Sequence, residues 1–259
     1  MGAMPAVAEP KKVVSFKVID GKAADRKKYN LDGSVKRTHP NKKAGESSEV
    51  FAFKTEEEIK AMIDVFDKHI ADAPDDNKEQ IAHRNKLLFL IGINVGIRAS
   101  DLRTLKWSFF YNDDGTFKDS YRIQPEKQKK QHKFITMYFN ATVRKAIENY
   151  VSEYPIEDIN SYLFPSRKGV ESIGVSSLWR IIKDTAAEAG ISQNIGSHSL
   201  RKSWGFWCWH KAEDKNKALV ILQMCFSHSS TQTTARYIGI MDDEISDMYN
   251  SIDLGFDFI

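Results

Sequence analysis

The sequence predicts a mainly α-helical protein with a small antiparallel β-sheet, an α+β architecture. Between Thr55 and Phe226, apolar residues recur every three or four positions in several segments, which is the period of an amphipathic helix. Residues 108–139 instead contain short β-prone runs separated by turn signals, as strands do. At 259 residues with 41% apolar residues, the chain is long enough to bury a sizeable core.

The first two helices are indicated by their end signals. Thr55 is followed three residues later by Glu58, the pattern of a capping box, so a helix is predicted to begin there. A second helix is predicted from about Asn77 to Asn94, with Gly96 as its C-cap. The apolar half of this helix, residues 87–93, is continuous, and we expect it to lie inside the core.

The middle of the chain predicts a hairpin followed by more helices. Residues 112–115 form an Asn-Asp-Asp-Gly turn signal. The β-prone runs 121–124 and 134–139 flank a basic loop, residues 125–133. Helices are predicted at about 140–151, from Ser176 or Ser177 to Gly190, from Ser197 through an aromatic stretch, and at 218–226.

Charge is unevenly distributed and divides the chain into three parts. Residues 1–50 hold eleven Lys and Arg against six Asp and Glu and lack a regular apolar period, which predicts a basic, extended or flexible N-terminal arm. Residues 242–259 hold six acidic residues and no Lys or Arg, which predicts an acidic tail. Residues 51–241 are the predicted functional domain. The basic body and arm favour a polyanionic partner such as nucleic acid.

Several classes of protein lack support in the sequence. No apolar run approaches the ~20 residues of a membrane span, so we expect no membrane association and a cytoplasmic location. The two cysteines suit a reducing compartment. The seven histidines form no zinc-ligand pattern, and neither a G-x-S-x-G nor a nucleotide-binding glycine loop is present.

Several polar residues stand out by their type and order. Arg98 follows the buried helix and a glycine turn, Ser100 is placed to cap a short helix, and Asp101 can hold the Arg98 guanidinium. His198 and Arg201 stand three residues apart at a helix start. His228 precedes Tyr237 by nine residues, and Ser229 or Ser230 is predicted to begin the helix between them. Taken singly, each of these residues also has an ordinary structural interpretation.

Taken together, these positions resemble the tyrosine recombinase (phage integrase) family. The resemblance rests on G-I-R-A-S-D-L around Arg98, a lysine on a hairpin, H-x-x-R at His198 and Arg201, and His228 followed by Tyr237. It covers roughly residues 55–241, which would be a whole catalytic domain of the family. It implies the tyrosine recombinase catalytic-domain fold and an enzyme that cleaves and rejoins DNA through a 3′-phosphotyrosyl intermediate.

The resemblance also implies a role for each residue. Arg98 and Arg201 would clamp the scissile phosphate, Tyr237 would attack it, His198 would serve as base or orient the tyrosine, and His228 would donate to the phosphate. Lys127 is the preferred donor of a proton to the leaving oxygen, with Lys129 and Lys130 as rivals, and Asp101 would support the first arginine. The implied partners are double-stranded DNA and three further copies of the chain in a synaptic homotetramer, with no metal or other cofactor.

Two departures from the family pattern are visible. Ser227 stands where the family usually has glycine before the last histidine, which predicts a left-handed backbone at a cost on the order of 1 kcal/mol. The helical core-binding domain that usually comes first cannot be formed by residues 1–50. Either the chain is a fragment and these residues are a remnant of that domain or a linker from it, or the arm performs a lesser version of its role. The alternatives are a type IB topoisomerase-like or hairpin-resolvase activity, and a non-catalytic DNA-binding regulator with the same fold.

Overall fold

The computed structural model describes residues 49–126, 134–166 and 171–251. In these ranges the chain forms nine α-helices and one two-stranded antiparallel sheet, so the predicted fold class is confirmed. The elements are α1 (Glu56–Ala71), α2 (Asp76–Val95), α3 (Ala99–Leu102), β1 (Ser120–Ile123), β2 (Ile135–Tyr138), α4 (Ala141–Glu153), α5 (Val175–Glu188), α6 (Ser197–His210), α7 (Lys215–Phe226), α8 (Thr231–Ile238) and α9 (Ile240–Asn250).

The predicted ends of α1 and α2 are confirmed by their cap contacts. The Thr55 hydroxyl accepts a hydrogen bond from the Glu58 amide at 3.1 Å, and the Glu58 carboxylate accepts one from the Thr55 amide at 3.3 Å. Helix α2 ends at Gly96, whose φ of 63° is left-handed. An alanine Cβ at Gly96 would lie 2.2 Å from the Trp204 ring, so this turn requires glycine for its backbone and for its packing.

The predicted turn and hairpin are both present. Asn112 donates its amide to Thr116 O at 2.9 Å, and Gly115 has a φ of 81°. Strands β1 and β2 pair from Ser120 with Tyr138 to Ile123 with Ile135. The connection between them includes Lys127, Lys129 and Lys130, which lie outside the described residues.

Two predicted helix starts are wrong by one or two residues. Helix α3 begins at Ala99 behind Arg98, whose backbone is extended (φ −71°, ψ 151°), so Ser100 is already helical and does not cap the helix. Helix α5 begins at Val175, directly after its N-cap Gly174, and not at Ser176 or Ser177. In α3 and α5 the turn that precedes the helix sets its first residue, and no side-chain hydrogen bond caps it. A third start is wrong by three residues: α7 begins at Lys215 and not at Ala218, because the Asp214 side chain caps it by accepting from the Lys217 amide.

Two hydrophobic clusters form the core, and α6 contributes to both. The larger cluster joins α1, α2, α4, α5 and the sheet, and includes Leu200 at the start of α6. The smaller cluster joins the rest of α6 to α7 and α8: Ala52, Phe206, Leu222, Phe226, Ala235, Ile238, Ile240. Gly205 allows this contact, because a Cβ there would lie 2.7 Å from the Phe226 ring.

A short segment without regular secondary structure, residues 49–54, contacts α6 and is called the strap below. Phe53 is fully buried in the larger cluster, while Ala52 belongs to the smaller one. The Phe53 amide donates to Ser203 Oγ at 2.7 Å, and the Trp207 indole donates to Phe53 O at 2.9 Å. The strap therefore links both clusters through α6. Within the described ranges, every helix is too short or too polar to traverse a lipid bilayer.

Candidate active site

The turn after α2 presents Arg98. Ile97, just before it, is buried, and Arg98 itself is half-buried. Its Nη1 atom is buried without a hydrogen-bond partner among the described residues. A buried guanidinium nitrogen that lacks an acceptor is costly unless a ligand satisfies it. This nitrogen is therefore well suited to bind an anion.

Asp101 does not hold Arg98 in the way the sequence predicts. Its Oδ1 accepts a hydrogen bond from the Glu126 amide at 3.0 Å, and its buried Oδ2 has no hydrogen-bond partner among the described residues. The predicted direct contact with Arg98 is wrong, because the carboxylate is directed to the end of the first hairpin strand. Asp101 thus connects the Arg98 turn to the residue immediately before Lys127.

Arg201 lies in the first turns of α6 and is only 4% exposed. Its Nη1 donates to Gly96 O at 2.6 Å and its Nη2 to Cys225 O at 3.4 Å, while the guanidinium carbon lies 4.6 Å from the Phe226 ring centroid. Burial lowers the pKa of Arg201 to about 10, with the Tyr237 hydroxyl opposing the change. Arg201 is therefore still charged at neutral pH.

Helix α7 ends in a left-handed turn that positions His228. Ser227 has a φ of 58°, so the predicted left-handed backbone at this position is confirmed. The His228 amide donates to Gln223 O at 3.0 Å, and its Nδ1 lies 3.0 Å from Thr234 Oγ1. Burial lowers the pKa of His228, and the charges of Arg201 and Arg98 lower it further. His228 is thus neutral at pH 7 in the absence of an anion.

The contacts of Thr234 define the His228 tautomer. Thr234 is fully buried on α8, and its hydroxyl donates to Ser230 O at 3.2 Å. A threonine hydroxyl has only one proton, and with that proton on Ser230 O it accepts the hydrogen bond from His228 Nδ1–H. The other ring nitrogen, Nε2, then lacks a proton in the neutral form and carries one only in the imidazolium form.

Helix α8 carries Tyr237 into this cluster. Its predicted start is confirmed, because Ser230 Oγ accepts from the Thr233 amide at 3.1 Å. The Tyr237 ring centroid lies 5.1 Å from that of His228 and 5.1 Å from that of Phe226. Burial raises the pKa of Tyr237, whereas the charges of Arg201 and Arg98 lower it. The hydroxyl is therefore protonated at neutral pH and has two guanidinium groups nearby.

The structure thus brings together Arg98, Arg201, His228 and Tyr237 within one chain. His198 lies in the first turn of α6, three residues before Arg201. Its side chain is exposed, whereas that of Arg201 is buried. The three candidate lysines lie outside the described ranges. Among the residues that are described, no group of three or more His, Cys, Asp or Glu is placed to bind a metal ion.

Sequence reasoning missed Lys202. This residue directly follows Arg201 and is 7% exposed, with its Nζ 5.4 Å from the Tyr237 ring centroid. It pairs with Glu49 of the strap at 3.1 Å. A partner 153 positions away leaves no local pattern, and the only signal was a second basic residue directly after Arg201.

Comparison with solved structures defines the class of fold. The chain is similar to the crystal structure of XerA recombinase, with a TM-score of 0.55 and 21% identity over 82% of this chain and 66% of that chain. It is also similar to XerH site-specific recombinase bound to palindromic difH substrate in a post-cleavage complex. That match has a TM-score of 0.53 and 19% identity over 81% of this chain and 55% of that chain. The fold is that of tyrosine recombinase catalytic domains.

Sequence comparison then gives the family. The phage integrase family model matches residues 53–244, and the protein belongs to this family. A probable integrase/recombinase, YoeC of Bacillus subtilis, is 31% identical over 64% of this chain and 84% of its own length. Tyrosine recombinase XerA of Pyrococcus furiosus is 28% identical over 71% of this chain. The chain spans 55% of the length of that XerA.

Proposed function

We propose that this protein is a site-specific DNA recombinase that breaks and rejoins double-stranded DNA through Tyr237. The Tyr237 oxygen attacks phosphorus, the bond from phosphorus to the 5′-oxygen breaks, and a 3′-phosphotyrosyl link and a free 5′-hydroxyl result. Attack by a 5′-hydroxyl of another strand reverses these steps and releases the tyrosine. The observation that carries the proposal is the convergence of Arg98, Arg201 and His228 on one tyrosine of the same chain.

The arginines are proposed to bind the scissile phosphate. Among the described residues Arg98 has a buried nitrogen with no acceptor, and Arg201 is held by two backbone carbonyl oxygens instead of a carboxylate. Both guanidinium groups therefore keep positive charge that the phosphate can neutralise. Charge held in place before the reaction stabilises the extra negative charge of the pentavalent transition state. The same charges favour the Tyr237 phenolate when the proton leaves.

The histidines have different proposed roles. His198, exposed at the start of α6, accepts the Tyr237 proton or orients the hydroxyl. His228 donates to the phosphate from Nε2, because its Nδ1 is engaged with Thr234. Donation from Nε2 requires the imidazolium form, and a bound phosphate anion favours that form. His228 therefore gains its proton as DNA binds.

A hairpin lysine is proposed to protonate the departing 5′-oxygen. Lys127 is preferred over Lys129 and Lys130, since the residue before it is anchored by the Asp101 carboxylate. A substrate with a bridging 5′-phosphorothiolate tests this assignment, because sulfur leaves without needing a proton. Lys127→Ala should cleave the ordinary substrate slowly and the sulfur substrate at the wild-type rate. If the sulfur substrate instead restores cleavage by Lys129→Ala or Lys130→Ala, that lysine is the proton donor.

The domain organisation follows from the same assignment. We propose residues 51–241 as the catalytic domain, residues 1–50 as a basic arm that either contacts DNA or is the remnant of or linker from a core-binding domain, and residues 242–259 as an acidic tail that packs between subunits. The tail proposal is supported by α9, where Ile245 is 45% exposed, Met248 58% and Tyr249 72%. Three large apolar side chains on one short helix favour burial against another copy in a synaptic homotetramer. The protein would act on cytoplasmic DNA.

Other activities on this fold make different predictions. A topoisomerase-like or hairpin-resolvase enzyme would form the same tyrosine link but rejoin strands of one duplex. A non-catalytic DNA-binding regulator would form no link. The XerH relative is a site-specific recombinase in a post-cleavage complex, which favours strand exchange.

The decisive experiment is covalent trapping on a nicked suicide substrate. The target is first selected from a duplex library by binding to the full chain, and the nick then lets the 5′-terminal fragment diffuse away after cleavage. The wild type should form a protein–DNA adduct and Tyr237→Phe should form none. Tyr138→Phe is the matched control, since Tyr138 is 74% exposed at the end of β2 and has no proposed role. An adduct that persists in Tyr237→Phe, or no adduct on a bound target, would refute the proposal.

A further inference from the structure

The strap contacts the helix of the nucleophile through two lysines. Lys54, at the end of the strap, donates from Nζ to Gly239 O at 2.7 Å, and Gly239 is the residue that ends α8. Glu49, at the other end, pairs at 3.1 Å with Lys202, whose ammonium lies over the Tyr237 ring. Both ends of the strap are thus connected to the region around Tyr237.

The contact at Gly239 fixes the C-terminal end of α8. The carbonyl groups at a helix C-terminus carry partial negative charge, which an ammonium group stabilises. A hydrogen bond from a charged donor is stronger than a neutral one. Because Gly239 is only two residues beyond Tyr237, this bond limits both the shift and the rotation of α8 that would displace the hydroxyl.

The contact at Lys202 restrains the Tyr237 ring itself. An ammonium group within about 6 Å of an aromatic centroid is attracted to the ring face. Lys202 is nearly buried and Glu49 holds its Nζ, so the cation has little freedom to follow a moving ring. The His228 and Phe226 rings approach the same tyrosine at 5.1 Å each.

We propose that the strap holds Tyr237 in its attacking position through Lys54 and Lys202, which are positioning residues for the nucleophile. This inference rests on the proposed function of Tyr237. Neither lysine needs to touch DNA, since each acts through α8 or through the tyrosine ring. The strap itself is held by buried contacts of Phe53 with α6, so it is a fixed support for α8.

The chain offers a matched control for each lysine. Lys215 donates from Nζ to Trp209 O at 2.9 Å and lies 4.9 Å from the Trp209 ring, which repeats the contacts of Lys54 at another helix end. Lys211 lies 5.2 Å from the Trp207 ring and 3.8 Å from Glu56, which repeats the contacts of Lys202. Neither control lysine has these contacts with α8.

The test measures the single-turnover rate of adduct formation on the nicked substrate with DNA at saturation. Lys54→Met and Lys202→Met should each slow cleavage by about tenfold, the effect expected for loss of one charge-assisted contact, with DNA affinity unchanged. Lys54→Arg should restore most of the rate. Lys215→Met and Lys211→Met should cleave as the wild type does. Equal rates in all four methionine variants, or a loss of DNA affinity that accounts for the slower rate, would overturn the inference.

Two further measurements separate positioning from other causes. If Lys202 donated a proton, Lys202→Met would recover on the 5′-phosphorothiolate substrate, and that recovery would overturn its positioning role. If a methionine variant is unfolded, Glu49→Gln can be measured instead, because it keeps both lysines. Glu49→Gln should still slow cleavage. A wild-type rate in Glu49→Gln would contradict the proposal that the strap positions Tyr237. Absence of an adduct in the wild type would refute the proposed function, whereas wild-type cleavage with unaffected variants would refute only the inference.

Discussion

Replacing Gly96 with alanine should disturb both the fold and the cleavage reaction. The residue has a φ of 63°, and an added Cβ would lie 2.2 Å from two atoms of the Trp204 ring. That ring packs against Phe226 with centroids 5.6 Å apart, so it cannot move without displacing Phe226, on whose ring the Arg201 guanidinium lies. The carbonyl of Gly96 is also the acceptor for Arg201.

The free energy of unfolding should fall by about 3 kcal/mol. Of this, about 1 kcal/mol comes from the left-handed backbone and about 2 kcal/mol from overpacking against the ring. For a folded unit of roughly 200 residues, 1 kcal/mol corresponds to about 2–4 °C in the unfolding midpoint, so a decrease of about 6–12 °C is expected. Thermal unfolding followed by far-UV circular dichroism measures it. The rate of adduct formation should fall as well, since Arg98 and Arg201 both depend on this turn.

Gly115→Ala separates the two contributions. Gly115 has a φ of 81°, and an added Cβ would meet no atom of the described residues within 4 Å. This variant has the backbone cost without the clash, so its midpoint should fall by about 2–4 °C and its cleavage rate should not change. Equal decreases in the two variants would refute the argument that the Trp204 contact matters.

Three further predictions follow from the site. Ser227→Gly should raise the unfolding midpoint by about 2–4 °C, because it removes a left-handed non-glycine residue, whereas Ser229→Gly should not; a decrease in the first variant would contradict this. Arg98→Met should leave the DNA-free protein at least as stable, because Nη1 has no acceptor in the part of the chain that the structure describes, yet cleave about 100-fold more slowly in the trapping assay. The lowered pKa of His228 means that the unfolded chain binds more protons, so stability should fall as pH drops through about 6.5. His228→Gln should show a smaller fall in denaturant midpoint between about pH 7.5 and about pH 5.5, and an unchanged fall would show that His228 contributes nothing to it.

The parts of the fold that sequence predicts well depend on contacts between neighbours in the chain. The capping box at Thr55, the left-handed end at Gly96 and the start of α8 at Ser230 each involve residues within four positions. The same holds for Ser227, whose conformation follows from the turn that ends α7. The sequence predicts these helix ends because one or two residue types at fixed spacing satisfy the free backbone N–H or C=O groups there.

The parts that sequence could not predict depend on distant partners. Asp101 was expected to contact Arg98, three residues away, but accepts from the Glu126 amide, because the hairpin brings that amide to it. The contacts of Lys54 with Gly239 and of Lys202 with Glu49 join positions more than 150 residues apart. No spacing rule connects such pairs, and each depends on how α6 and the strap pack in three dimensions.

The backbone carbonyl groups that hold Arg201 have a further consequence. An arginine paired with a carboxylate would have to exchange one anion for another when DNA arrives. Arg201 instead rests on Gly96 O and Cys225 O, which orient its guanidinium without cancelling its charge. Arg201 is only 4% exposed, so it is already dehydrated in the folded protein. Its dehydration therefore does not weaken DNA binding. Inorganic phosphate should consequently compete with DNA for the Arg201 guanidinium and raise the unfolding temperature of the DNA-free protein.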